Sequence, residues 1–317
     1  VNLLICKLKP KSPLHLGERE SFREGTEVFV HSDTLFSTFC HGYLLLYGRE
    51  KLEELLKKFL DRNLTFVISS AFPFWNDKLY FPIPENQIPK NKELKKKLFI
   101  EKSGFEKLLS GKRVEEIENI IEFIPNKNNK RPYVTTDVPR VGLSRLTNHP
   151  GENFFHFGEV IYKENAGLFF LYDLKDKSIE KQFHTTFRLL ADEGIGGDRT
   201  LGKGLFNEPE FSNVDINVPS NNSGIVTLSL FLPTQDELND IGESYYQLIS
   251  RRGYIYSPQC QSLRRKSVRM FKEGAVFTTN KKGRIVDVTP EIFKEHRIYR
   301  YGLAFTLPCV LEVKNED

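Results

Sequence analysis

The sequence is poor in cysteine, tryptophan and methionine, with four, one and one among 317 residues. The cysteines, Cys6, Cys40, Cys260 and Cys309, lie far apart and form no Cys-x-x-Cys pair. That spacing argues against a zinc knuckle or a disulfide framework and points to the reducing cytoplasm. No apolar run reaches the ~18 residues of a membrane-spanning helix, so no membrane partner is expected. The opening segment carries Lys7, Lys9 and Lys11 and is not expected to be a secretory leader. A strong excess of one charge is also missing. Lys and Arg total 46 against 42 Asp and Glu, for a formal net charge of +4. That total is too mild to identify a nucleic-acid partner.

Aromatic rings and local charge are what the chain does have. It holds 26 Phe and 12 Tyr, enough rings to fill a core and leave some for a stacking surface. Between Arg251 and Arg284 there are ten basic residues and one acid, Glu273. Between Phe123 and Pro150 there are five basic residues and one acid, Asp137. Clustered positive charge is the footprint of a phosphate backbone, although one such cluster alone reads as a solvated face.

Periodicity organises the chain into two α+β halves, at residues 1–215 and 223–317, with a Ser/Asn/Pro-rich linker near 213–224. Val1–Leu8 reads as a strand. Ser32 or Asp33 reads as the cap of a helix carrying Leu35, Phe36, Phe39, Tyr43 and Leu46 at helical spacing to about Tyr47. A second helix covers Lys51–Leu60. Leu64–Ser70 reads as a strand, and Asn76-Asp77 is a turn before Leu79–Phe81. The Lys-rich stretch Asn86–Glu122 reads as helical pieces. Tyr133–Arg145 reads as an exposed hairpin, and Phe154–Tyr162 with Leu168–Tyr172 as a second one around residues 164–167. Phe183, Phe187 and Leu190 mark one face of a helix over Ile179–Leu190. In the second half Ile225–Leu232, Tyr254–Tyr256, Ser267–Phe271, Ala275–Thr278, Arg284–Val288 and Tyr301–Leu307 read as strands, with a short helix near 235–241.

The segment with the most chemistry follows the Ile179–Leu190 helix. Gly194-Ile-Gly-Gly-Asp-Arg-Thr-Leu-Gly-Lys-Gly204 packs five glycines, Arg199 and Lys203 into eleven residues. Such a loop lets backbone N–H groups and cations approach a phosphate closely. It lacks the P-loop pattern, and it ends a helix where a dinucleotide fingerprint starts one. A tight connector is the competing reading of the same residues.

This loop resembles the glycine-rich loop of the RAMP superfamily of CRISPR RNA-binding proteins. Lys9-Pro-Lys-Ser-Pro-Leu-His-Leu-Gly17, His31-Ser-Asp-Thr-Leu-Phe-Ser37, Ser69-Ser-Ala-Phe-Pro-Phe74 and Leu79-Tyr-Phe-Pro-Ile-Pro84 narrow the likeness. So do Pro132-Tyr-Val-Thr-Thr with Arg140 and Arg145, and Gly253-Tyr-Ile-Tyr-Ser-Pro258. Taken in order, they are similar to the 5′-end-capping RAMP subunit of type III-A (Csm) effectors, subunit four of that complex. The resemblance implies two ferredoxin-like (RRM-like) βαββαβ halves with a cleft between them. It implies a protruding thumb hairpin within residues 123–150. It also implies a non-catalytic scaffold that holds the 5′ tag of a CRISPR guide RNA. Its protein partners would be the large polymerase/cyclase subunit and the adjacent backbone RAMP subunit, with no cofactor and no metal.

The expected RNA contacts follow. Gly194, Gly196, Gly197, Gly202 and Gly204 would offer the backbone, with Arg199 and Lys203 as cations. Arg140 and Arg145 would hold the guide at the thumb. Arg251, Arg252, Tyr254, Arg264, Arg265, Lys266 and Arg269 would line the cleft. Ser32 and Thr34 stand at a helix start, where a phosphate can bind. His15 would be packed or RNA-contacting, and Asp33 a cap. Three alternatives stay open. One is a metal-independent CRISPR RNA-processing endoribonuclease with His15 as general acid or base. The others are the equivalent RAMP subunit of a type I or III-B complex, and a pure protein–protein adaptor. His149 and His156 are too isolated to read as a metal site.

Overall fold

In the computed structural model the described residues are all except 20–21, 88–91, 126–127, 129, 144–145, 148, 150–153, 258, 261–262 and 312–317. The side chains of residues 18–25 and of residue 93 are likewise left aside. The architecture is mixed α+β, dominated by antiparallel sheet. Among the described residues the main sheet has eight strands. Its path runs Glu210–Asp215, Asn2–Leu8, Ala166–Leu174, Phe72–Trp75, Lys78–Pro82, Phe99–Glu101, Phe123–Ile124, and Phe66–Ile68 also pairs with Ala166–Leu174. Ala166–Leu174 pairs with Asn2–Leu8, Phe72–Trp75 and Phe66–Ile68, and its residues Leu168 to Leu171 are fully covered.

Two helices lie together on one face of this sheet, Ser32–Leu60 and Glu180–Glu193. Their apolar spacing explains the packing. Phe39 stacks among Phe66, Phe183 and Phe187, and Phe36 meets Phe59, Phe66 and Tyr301. Each fully buried ring contributes roughly 1.5–3 kcal/mol. Gly42 lets the helices approach, because a Cβ there would lie 2.9 Å from Leu190 Cδ2. The helical stretch breaks at Gly48, with φ 81° and ψ 174°, so the two expected helices meet there at a kink. Its N-cap is His31 rather than Ser32 or Asp33, and no side chain caps it. Asn76 and Asp77, both at positive φ, form the two-residue hairpin turn between Phe72–Trp75 and Lys78–Pro82. The Lys-rich stretch holds the helices Lys92–Lys95, Lys102–Leu109 and Val114–Ile117. It also supplies an unanticipated strand, Phe99–Glu101, and a second one, Phe123–Ile124, follows directly; both extend the sheet.

The hairpins pair differently from the expectation. Tyr133–Val141 pairs with Phe154–Tyr162 in a separate two-stranded ribbon, from Tyr133 opposite Tyr162 to Val141 opposite Phe154. Ala166–Leu174 instead enters the main sheet. The turn before it is real, with Asn165 at positive φ, but it joins strands of two different sheets. The ribbon is moored to the rest of the chain by the paired N–H and C=O groups of Leu14 and Val160, at 2.9 and 2.8 Å.

The second half builds a four-stranded sheet in the order Ser244–Tyr245, Val276–Phe277, Gly224–Thr227, Thr306–Cys309, with the helix Gln235–Asn239 capped by a Thr234/Glu237 box. Leu248–Arg251 pairs with Val268–Phe271 beside it. One apolar core runs through both halves, joining Phe36 and Phe66 to Val226, Leu228, Tyr301 and Phe305. Hydrogen bonds cross the same boundary: Ile68 N–H donates to Tyr301 Oη at 2.9 Å, and Ser70 N–H to Leu228 O at 2.8 Å. Among the described residues no helix is long and apolar enough to cross a membrane.

Candidate nucleic-acid interface

The glycine-rich loop lies against the segment that follows the first strand. Gly204 N–H donates to Pro13 O and Gly197 N–H to His15 O, each at 2.9 Å. Gly196, at φ 103°, has the His15 carbonyl where a Cβ would stand, 2.5 Å away. Gly204, at φ 73°, would put a Cβ 2.2 Å from Ile195 O. No L side chain fits at either place. Gly194 N–H donates to Leu190 O, ending the helix, and Gly202 N–H donates to Arg199 O, ending the single turn Arg199–Leu201. The expected use of these glycines as phosphate donors is therefore corrected at Gly194, Gly197, Gly202 and Gly204. Their N–H groups are committed inside the protein; close packing accounts for Gly194, Gly197 and Gly204, and a left-handed φ of 75° for Gly202.

The loop's acid and one of its cations face the ribbon. Arg140 donates to Asp198, Arg140 Nη2 lies 3.5 Å from Glu159 Oε1, and Lys203 Nζ lies 3.0 Å from Glu159 Oε2. Glu159 is almost fully buried. The Arg140 guanidinium also covers the Phe157 ring, 4.2 Å from its centroid. His15 stacks on the same ring at 3.8 Å, and its Nδ1 donates to Gly158 O at 2.7 Å. Burial lowers the His15 pKa, which favours the neutral ring. Arg140, Lys203 and His15 thus form a clasp between ribbon and loop, not a row of free cations. Phe157 and Glu159 were missed from sequence. The available signal was a lone acid inside the apolar run Phe154–Tyr162, since a buried carboxylate needs cations. Arg145 lies outside the described residues.

A second correction concerns the first helix's N-terminus. Ser32 is fully buried; its N–H donates to Ser70 Oγ at 2.9 Å and its hydroxyl accepts from Leu230 N–H at 3.0 Å. Asp33 accepts from Arg251 Nε and Nη2, each at 3.0 Å, and from Arg300. Arg251 also donates to Thr34 Oγ1 at 3.1 Å. His31 sits between Glu27 and Glu273, with nitrogen–oxygen distances of 2.6 and 2.7 Å. Burial opposes charge on this imidazole, but the two carboxylates outweigh it and raise its pKa to about 9. Asp33 is held well below the usual carboxylate range, burial being overcome by Arg251 and Arg300. Ser32, Thr34 and Arg251 therefore seal the boundary between the halves and do not form an open phosphate site.

Of the remaining predicted residues, Arg199, Tyr254, Arg264 and Arg265 come together beside the first helix. Arg199 reaches out of the loop over Tyr256, 4.4 Å from the ring centroid. Tyr256 meets His41 of the first helix edge-on at 4.9 Å. One helical turn earlier, Ser37 accepts from Arg265 at 3.4 Å, and Arg265 Nε donates to Tyr254 O at 3.0 Å. Arg264 lies against Tyr254, 3.2 Å from its hydroxyl. Arg252 donates to Ser267, Lys266 is 3.9 Å from Glu291, and Arg269 is exposed on its strand. Positive charge and exposed rings alternate along this face, the combination single-stranded nucleic acid requires.

Residues 7–207 match the RAMP superfamily. The chain belongs to the RAMP superfamily. Residues 220–309 of this RAMP protein match the CRISPR Csm4 C-terminal domain. The CRISPR system Cms protein Csm4 of Thermococcus onnurineus is 29% identical, covering 96% of each chain. That of Methanocaldococcus jannaschii is 25% identical, covering 97% of each. The resemblance to subunit four of the type III-A Csm effector is thus borne out. Among solved structures, the fold is similar to a chain of the Csm3–Csm4 subcomplex of a type III-A CRISPR–Cas interference complex. The TM-score is 0.67 at 23% identity, with 96% of this chain and 99% of that one covered. It is also similar to a chain of a Csm1–Csm4 cassette in complex with cA4. There the TM-score is 0.66 at 24% identity, with 99% and 100% covered.

Proposed function

We propose that this RAMP protein is a non-catalytic scaffold of a type III-A CRISPR effector, working in the cytoplasm. In this reading it holds the 5′ tag of the guide RNA and joins the large polymerase/cyclase subunit to the adjacent backbone RAMP subunit. The observation that carries the RNA reading is the placement of Arg199 over Tyr256. It draws the glycine-rich loop, the first helix and the basic second half onto one charged and aromatic face. The partner reading is supported by the relatives, whose solved structures are Csm1–Csm4 and Csm3–Csm4 assemblies.

The finer fold assignment belongs to the same proposal. In the first sheet the strands around the two helices run Glu210–Asp215, Asn2–Leu8, Ala166–Leu174, then Phe72–Trp75. That is the fourth, first, third, second order of a βαββαβ ferredoxin-like unit. The second sheet repeats this strand order around one short helix. Both support two ferredoxin-like halves, at 1–215 and 223–317, with the Tyr133–Val141/Phe154–Tyr162 ribbon as the thumb. A non-catalytic role is consistent with the packed His15, whose burial favours the neutral ring and whose Nδ1 is tied to a backbone carbonyl.

The test is joint assembly. The chain is mixed with the large subunit, the backbone subunit and an RNA bearing a repeat-derived 5′ tag, and the products are run on native and denaturing gels. The proposal expects tag-dependent assembly with intact RNA. RNA cut in a His15-dependent way would make the protein a processing nuclease instead.

A further inference from the structure

The expected strand Tyr254–Tyr256 is reduced to a single antiparallel bridge, Tyr254 with Arg264, and Tyr256 lies against His41 of the first helix. Ile255 is buried with Val288, Phe293 and Ile298, and its N–H donates to Leu263 O at 2.8 Å. Its two neighbours face outward. Tyr254 is 49% exposed and Tyr256 53%. The two exposed rings thus stand two residues apart in the chain, on either side of the buried Ile255. Each ring has a guanidinium against it, Arg199 at 4.4 Å from the Tyr256 centroid and Arg264 at 5.3 Å from that of Tyr254.

These contacts differ from the clasp at Arg140 and Lys203. There, carboxylates hold the cations. Arg199 has no carboxylate partner among the described residues, and its contact is a ring face. A cation over an exposed ring is held weakly, whereas a guanidinium on a phosphate makes charge-assisted, often paired hydrogen bonds. Offered an RNA strand, the arginine gains by exchanging the ring for the phosphate, and the vacated ring gains a base.

We propose that Tyr254 and Tyr256 are stacking platforms for two consecutive unpaired bases of the bound RNA, with Arg199 swinging from the face of Tyr256 to a flanking phosphate. This rests on the RNA-holding reading above and adds the register. The tag is splayed at two adjacent nucleotides, one over each ring, and the contact tolerates any base because every base has a π-face.

The probe is tagged guide RNA carrying 2-aminopurine at one tag position at a time, bound to the assembled effector. Stacking quenches its fluorescence. The proposal expects quenching at two adjacent positions, one lost in Tyr254→Ala and the other in Tyr256→Ala. Both should persist in the Tyr→Phe variants. Each Ala variant should weaken binding by about 5- to 150-fold, the equivalent of one lost base–ring stack. Because both rings are exposed, thermal unfolding should match the parent and so exclude a folding defect. RNA that binds with quenching unchanged in both Ala variants overturns the platforms and leaves the guide-holding reading standing. Loss of the large or backbone subunit in the Ala variants, with quenching retained, overturns them in favour of a protein contact. An assembled parent complex that binds no tagged RNA overturns the guide-holding reading itself.

Discussion

Replacing Asp33 with asparagine tests how the two halves are joined. The Asp33 side chain is 2% exposed and its oxygens serve Arg251 at 3.0 Å twice and Arg300 once. Asparagine keeps the shape but removes the charge, leaving two guanidinium groups without it in a dry boundary. Removing one partner of a buried ion pair costs about 3–5 kcal/mol, because the other charge stays buried. Domain stabilities are commonly about 5–15 kcal/mol, so Asp33→Asn should remove a large share. Urea unfolding at pH 7, followed by far-ultraviolet circular dichroism, measures it. Arg300→Met alone and combined with Asp33→Asn completes a double-mutant cycle, and direct contact predicts a coupling of about 1 kcal/mol or more. A loss under about 1 kcal/mol for Asp33→Asn would refute the reasoning, since it would mean that water already solvates the arginines.

Three further outcomes are expected. His31 is held charged by Glu27 and Glu273, with a folded pKa of about 9 against an ordinary value near 6.5. A raised value in the folded state stabilises fully below about pH 6.5 and is lost as pH rises through about 9. Urea midpoints should therefore fall across that window, and His31→Gln should flatten the fall; an equal slope in both proteins would contradict the assignment. Glu159→Gln leaves Arg140 and Lys203 without their shared buried carboxylate and should cost about 1–3 kcal/mol. Faster amide exchange along Tyr133–Val141 would report the loosened ribbon, and unchanged exchange would dismiss the clasp. Gly204→Ala forces a Cβ to 2.2 Å from Ile195 O at φ 73° and should destabilise by at least about 1–3 kcal/mol, read as a lower melting temperature.

What the sequence revealed depended on the range of the signal. Phe183, Phe187 and Leu190 repeat at helical spacing, and their helix is where that period places it. Asn76-Asp77 is a local turn and was readable for the same reason. Choice of strand partner is not local. The turn at residues 164–167 suggested one hairpin, yet the Phe154–Tyr162 strand finds Tyr133–Val141 across a longer connection. Arg251 illustrates the same limit at the level of charge. Within a basic run it reads as a cleft cation, but its partner Asp33 is 218 residues away. The glycine-rich loop was recognised and its role partly misread. Five glycines fit either a phosphate cradle or a tight connector, and only the positions of the Pro13 and His15 carbonyls decide. Tyr254 and Tyr256 keep their expected exposure, and Arg199 meets a ring face and, among the described residues, no carboxylate.

The central claim is that the exposed face from Arg199 to Arg265 holds single-stranded guide RNA. The most direct test is the salt dependence of tagged-RNA binding by the assembled complex, for the parent, Arg199→Ala and Lys203→Ala. One phosphate contact on a single strand contributes a slope of about 0.7 in log K against log salt. Arg199→Ala should lower the slope by about that amount, and Lys203→Ala by less, because Glu159 already neutralises that cation. An unchanged slope in Arg199→Ala, or a larger drop in Lys203→Ala, would contradict the account.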